Sequence, residues 1–237
     1  MDQLLLVRHG QASFFDANYD RLSALGADQA YRLGAHWADA GLQPARAYVG
    51  PRQRHAQTYE QVARAYRERG LEFPAAEWLP GLDEHHGIAV AKAHLGEPDP
   101  AGGAMPGVPA ASAALPAETA KAVALKALLR VLRDWAHGRV VVPGFETWEE
   151  FRARVLGTMD RLCAVPAGGP GVAFTSGGFV SAATGGVLGL DHDRVIDLHA
   201  VIRNASVTEF GFAGTRRRLV EFNVTSHLPT AALRTLI

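Results

Sequence analysis

One cysteine, Cys163, stands in a chain of 237 residues. That excludes an intrachain disulfide and any cysteine-rich zinc site. Lying in an apparent helix after Met159, it reads as a core filler. Excess charge is also missing, since Lys+Arg and Asp+Glu are both 24. Neither nucleic acid nor an anionic membrane is therefore expected as the main partner. No uninterrupted apolar stretch is long enough to cross a bilayer. The N-terminus runs straight into a strand, without the basic and apolar regions of a signal peptide. There is no internal repeat and no Asp/Glu cluster at ligand spacing, so neither a metal nor another cofactor is expected. These absences describe a soluble, reduced, cytoplasmic protein. With 48% hydrophobic residues, the chain can fill one sizeable core and carry an insertion.

What is present alternates between strand and helix patterns, as in a layered α/β domain. Apolar runs mark strands at Leu4–Arg8, Ala45–Gly50, Gly171–Ser176, Ser206–Phe212 and Arg218–Asn223. Ser23 can cap a helix reaching Ala40, with Ala30, Leu33 and Trp37 on one face. Gln53 to Arg67 repeats the pattern with Tyr59, Val62, Ala63 and Tyr66. A third helix runs from about Thr119 to Trp135 on a stripe of Leu125, Leu128, Leu129 and Leu132. Thr147-Trp148-Glu149-Glu150 forms a capping box before a helix that buries Phe151, Val155 and Leu162. Pro98 to Pro116 differs in kind, with five prolines, three glycines and almost no charge. It predicts a long irregular loop, either disordered or a lid over a site.

The chemistry begins where the first strand ends, in Leu6-Val7-Arg8-His9-Gly10. Open α/β sheets place ligands at the carboxyl ends of their strands. An imidazole beside a guanidinium there suits nucleophilic attack on a phosphoryl group whose oxygens the arginine holds. Taken alone, the tripeptide fits a solvated strand end as well. The second strand leads into Gly50-Pro51-Arg52-Gln53-Arg54-His55-Ala56-Gln57-Thr58, with its arginines near a helix start that already favours anions. Arg52 reads as solvated.

These segments resemble the histidine phosphatase superfamily, also called phosphoglycerate-mutase-like. In that family a first strand ends in Arg-His-Gly, matched by Arg8 and His9, and the histidine is the phosphorylated nucleophile. A Ser-Pro-x-x-Arg-Ala-x-Gln-Thr segment supplies a second phosphate-binding arginine. Pro51, Arg54, Gln57 and Thr58 match it, while Gly50 and His55 depart from it. Leu22-Ser23 through Gly26 and Gln29-Ala30 resembles the start of the family's first helix. The family's acid/base carboxylate is matched within Gly81-Leu82-Asp83-Glu84-His85-His86-Gly87. The resemblance covers most of the chain outside roughly Ile88 to Pro143.

Glu84 also has a reading of its own. Once His9 attacks phosphorus, a leaving alkoxide needs a proton and the later water must lose one. One carboxyl does both if a shielded site raises its pKa. Asp83 is the weaker candidate, and His85 and His86 read as surface histidines. At the fourth family segment, usually Ser-His-Gly-Gly, this chain has Thr175-Ser176-Gly177-Gly178, so Ser176 stands at the second-histidine position. Ser176 reads as a substitute phosphate ligand, a cap of the next helix, or both. Phe15 and Phe179 are candidates for filling the space an imidazole would use. Phe15 also stands where many members carry a phosphate-reaching Asn, for which Asn18 could compensate. Gln11 is near enough to the strand end to touch substrate.

The expected fold is a three-layer α/β/α sandwich with a mostly parallel sheet, one domain over residues 1–237, and an irregular insertion at about 88–118. The expected function is hydrolysis of small phosphate monoesters through a phosphohistidine. His9 is the nucleophile and Glu84 the acid and base, with Arg8, Arg54, Ser176 and Gln11 on the substrate. Arg8 and Arg54 should lower the His9 pKa. A phosphate-binding sensor without turnover shares the binding residues. A phosphoglycerate mutase is disfavoured by the departures at Ser176 and Phe15.

Overall fold

In a computed structural model, the structure describes residues 2–12, 20–96, 117–164, 168–214 and 216–236. Six strands form one sheet: β1 Asp2–Arg8, β2 Arg46–Val49, β3 Ala76–Trp78, β4 Gly171–Thr175, β5 Val207–Ala213 and β6 Arg216–Val224. Their spatial order is β3-β2-β4-β1-β5-β6. The first four of these neighbours run parallel, and β5 and β6 add an antiparallel margin beside β1. The seven helices among the described residues are α1 Ala24–Asp39, α2 Gln53–Arg67, α3 Gly87–Leu95, α4 Ala117–Ala136, α5 Trp148–Cys163, α6 Gly177–Leu188 and α7 His192–Val201.

Both faces of the central strands are covered, which is why their sequences read as unbroken apolar runs. Leu5 and Val7 of β1 meet Leu33 and Trp37 of α1 and Val62 and Tyr66 of α2. Leu4 and Leu6 point the other way, into a core with Leu132, Trp135, Phe151, Met159 and Phe179. That is the expected three-layer α/β/α arrangement. Cys163 is buried in the second core, where burial pushes its thiol up to about 11. None of the described helices is long and apolar enough to cross a membrane.

Local signals explain most boundaries. Ser23 caps α1 by accepting the Gly26 N–H at 3.0 Å. The Thr147–Glu150 capping box of α5 closes in both directions. Helix α2 has no cap from its own Arg52; Asp20 instead accepts the Gln53 N–H at 2.9 Å. Four elements were given no bounds by the sequence reading, and of these only α6 was expected at all, as the helix after Ser176. Strand β3 has three residues, with Trp78 60% exposed. Helix α6 is buried all round from Gly177 to Gly185, so it has no amphipathic stripe to detect. Helices α3 and α7 have 9 and 10 residues. The insertion thus opens as a helix, and its irregular part, the 98–116 loop, lies outside the described residues, as do Phe15 and Asn18.

Candidate active site

Residue His9 sits one step beyond β1, and its backbone continues the sheet. Its N–H donates to the Thr175 carbonyl at 2.9 Å, and its carbonyl accepts the Ala205 N–H at 3.1 Å. The ring is held as firmly. Nδ1 lies 2.7 Å from the Gly10 carbonyl. A carbonyl only accepts, so Nδ1 carries the proton and Nε2 keeps its lone pair. Burial, then Arg54, Arg8 and His55, hold this imidazole well below its usual 6.5, so it is neutral at physiological pH. The expected lowering by the arginines is present, but burial outweighs it.

The residue opens into a cavity of about 450 Å³ that Arg8, Arg54 and Glu84 also line. Arg8 ends β1 and donates through Nη1 to the Ile202 carbonyl after α7. Arg54, in the first turn of α2, is buried and donates to Asp20 Oδ1 at 2.8 Å and to Ser176 Oγ at 3.4 Å. The cavity has two characters. Its floor carries these ionic groups, and part of its wall is apolar, with Ile88 and Ala89 from α3, Leu125 and Leu128 from α4, and Leu236.

Glu84 is aimed by the glycine pair that follows β4. Its Oε2 accepts the Gly178 N–H at 3.1 Å, at the positive end of α6, and its Oε1 accepts the His85 N–H at 2.9 Å. Burial alone would raise this carboxyl. His85, His199, the Gly178 N–H and Arg54 overcome it and hold the group down at about 2. The expectation of a raised pKa is therefore corrected for the free protein, because the pocket shields Glu84 from water yet surrounds it with donors and cationic partners.

Other expectations change as well. Gln11 is turned away: its Oε1 accepts the Ser23 hydroxyl at 2.9 Å, and it is not among the described residues lining the cavity. Arg52 is not a solvated residue but grips Asp83 through two hydrogen bonds, at 2.5 and 3.1 Å. That pairing occupies Asp83, and of these two neighbours it is Glu84 that lines the cavity, as Asp20 does from beside Arg54. His85 is buried against Trp135, Phe151 and His199 rather than lying on the surface. Ser176 takes the N-cap position of α6 without a side-chain cap. Its hydroxyl is fully buried, 2.7 Å from His55 Nε2.

Three site residues escape the sequence reading. Asp20 lies beside Arg54 with no motif around it. His199 comes from a helix without a clear stripe, and burial with His85 drives it down to about 4. For His55 the signal was its departure from the arginine segment.

A buried imidazole accompanied by two arginines at the carboxyl ends of a mostly parallel sheet is the arrangement that the Arg-His-Gly strand end and the second arginine segment led us to expect. The profile of the histidine phosphatase superfamily (branch 1) matches residues 4–92 and 117–225, and the chain belongs to that family. The match reaches into α3, α4 and α5, further than the motifs alone. No curated protein sequence matches significantly. Among solved structures, Bacillus stearothermophilus YhfR is 17% identical, with 96% of this chain and 99% of that chain covered and a TM-score of 0.66. The mycobacterial glucosyl-3-phosphoglycerate phosphatase, in complex with inorganic phosphate, is 23% identical over 96% and 99% at 0.59. Phosphoglycerate mutase from Bacillus anthracis is 16% identical over 95% and 94% at 0.60. At these identities the likeness is one of fold.

Proposed function

We propose that the protein is a phosphatase that hydrolyses small phosphate monoesters through a phosphohistidine on His9. The observation that carries this reading is the state of the His9 ring: neutral, with its Nδ1 proton donated to the Gly10 carbonyl and Nε2 unprotonated in a cavity that two arginines also line. Nε2 attacks phosphorus as the ester P–O bond breaks, while Arg8 and Arg54 take the phosphoryl oxygens. Glu84 gives its proton to the leaving alkoxide. Water then attacks phosphorus, the N–P bond breaks, Glu84 takes the water proton, and phosphate departs. Glu84 is ionised in the free protein, so its proton must arrive with substrate. A phosphoryl dianion beside the carboxylate raises its pKa and makes protonation favourable at the moment it is needed.

The apolar wall suggests an ester whose body is aryl or alkyl rather than rich in hydroxyls. That also weighs against a phosphoglycerate mutase. A sensor that binds phosphate without turnover is the second reading, favoured by one observation: Ser176 brings no charged donor to the phosphoryl site. A screen of phosphate esters on purified protein, with His9→Ala as control, separates the two. Release of phosphate that vanishes in His9→Ala supports the enzyme. Full turnover in that variant removes the mechanism, and stoichiometric binding without release supports the sensor.

A further inference from the structure

Three departures from the family motifs, Gly50, His55 and Ser176, lie 121 to 126 positions apart between the first two and the last, yet they meet in one place behind the phosphoryl floor. His55 rises from the first turn of α2, next to Arg54, and is fully buried. Its ring centre is 5.8 Å from that of His9. Its Nε2 is 2.7 Å from Ser176 Oγ, which in turn receives Arg54 Nη2 at 3.4 Å. The other face of the ring depends on Gly50. A Cβ at position 50 would stand 2.4 Å from His55 Nδ1, closer than real contacts allow, and a tight 3.0 Å from the Leu82 carbonyl. Any side chain at 50 would expel the imidazole.

We propose that these three departures are one compensated exchange, in which His55 replaces the imidazole missing at position 176 and, through the Ser176 hydroxyl, positions the Arg54 guanidinium for the phosphoryl group. Gly50 makes the room. The expectation that Phe179 fills the missing ring's space gives way to His55, since Phe179 belongs to the main core. The proton arrangement follows from satisfaction. The Nδ1 side of the ring lies against Gly50, whose backbone accepts a hydrogen bond from the imidazole, whereas a proton on Nε2 would leave the fully buried Ser176 hydrogen without an acceptor among the described residues. The proton therefore rests on Nδ1, and Nε2 accepts the Ser176 hydroxyl hydrogen. That turns the Oγ lone pairs to the Arg54 guanidinium, which donates to it. Burial and Arg54 keep the imidazole neutral, so the serine is oriented by a neutral acceptor. His55 acts through Ser176 and Arg54 and is a positioning residue.

The inference rests on the phosphatase reading for its kinetic consequence only; the arrangement can also be tested by phosphate binding and by melting temperature. His55→Ala and Ser176→Ala should each lower kcat by about tenfold, the size of one neutral hydrogen bond, with little change in KM. Two groups acting in series give a double variant no slower than either single one. His55→Gln, whose Oε1 can still accept from Oγ, should recover part of the loss. The combination His55→Ala with Ser176→His should recover more, by returning an imidazole to the strand end. If no ester is turned over by the natural protein, the phosphatase reading fails while the same variants still report on the exchange. Calorimetry with inorganic phosphate should then show equal, non-additive weakening. Gly50→Ser should lower the melting temperature strongly with His55 present and little in the His55→Ala background. The exchange is overturned by additive losses from His55→Ala and Ser176→Ala, by a folded His55→Ala of natural kcat and phosphate affinity, or by a Gly50→Ser cost that ignores His55.

Discussion

Glu84 and Gly178 touch so closely that the carboxylate occupies the space of the side chain Gly178 lacks. A Cβ there would lie 2.0 Å from Glu84 Oε1, while the Gly178 N–H donates to Oε2 at 3.1 Å. The second glycine after β4 thus seats the acid/base candidate. Gly178→Ala should displace Glu84 and lower kcat about as far as Glu84→Gln does, by roughly 10²-fold or more. Steady-state kinetics with a melting curve for each variant check this. A stable Gly178→Ala of natural kcat would separate Glu84 from the chemistry.

A covalent intermediate is the second expectation. Rapid quenching with a labelled ester, avoiding acid, should trap a phosphoryl group that is stable in base and labile in acid. Phosphopeptide mapping should place it on His9, and His9→Ala should carry none. Label on another residue would reassign the nucleophile.

Acid should inactivate the protein and destabilise it in different windows. His9 is held well below 6.5, so kcat/KM should keep its plateau into mild acid and fall only below that value. For stability the sign is the same for all the depressed groups. His199, near 4 when folded, and His9 must take up protons on unfolding below about pH 6.5. The unfolded chain then binds more protons, and stability drops as pH falls from 6.5 through 4. Glu84 adds a contribution that is complete above about 4.5 and lost as pH falls through 2. Urea midpoints between pH 7 and 4 test this. His199→Gln should flatten the decline, and an unchanged slope would refute the assignment.

Selectivity should follow the apolar wall. Aryl phosphates should have higher kcat/KM than glycerol phosphates. Leu125→Asp should raise KM for the aryl esters tenfold to hundredfold, since burying an apolar group is worth about 1.5–3 kcal/mol. Equal kcat/KM for both ester classes would leave the wall without a role.

The parts legible in the sequence share a physical reason. Strands β1 and β4 are covered on both faces, so their apolar runs were unbroken. Helices α1 and α5 announce themselves through Ser23 and Thr147, whose caps are local interactions. All five expected strands are present with ends within two residues of those expected. Helix α6 was expected after Ser176 but could not be bounded, because burial on every side leaves no period to read. The site divides in the same way. Arg8, His9, Arg54 and Glu84 stand at element ends that the sequence marks, and they line one cavity. Asp20, His55 and His199 owe their places to tertiary packing. Gln11 is not among the described residues lining the cavity for the complementary reason, since proximity in sequence does not fix which way a side chain turns.

Hydrogen bonding of the His9 backbone to strands on both sides has a consequence for how the protein can change. Amides clamped this way exchange with solvent only when the sheet opens as a whole. The far wall, carried by α3, α4 and Leu236, belongs to no strand of the sheet. Substitutions there should change what the cavity accepts without loosening His9. Mutational tolerance should accordingly be graded across the cavity, lowest at the β1 terminus and highest at its apolar rim, so that new specificities arise on a floor that does not move.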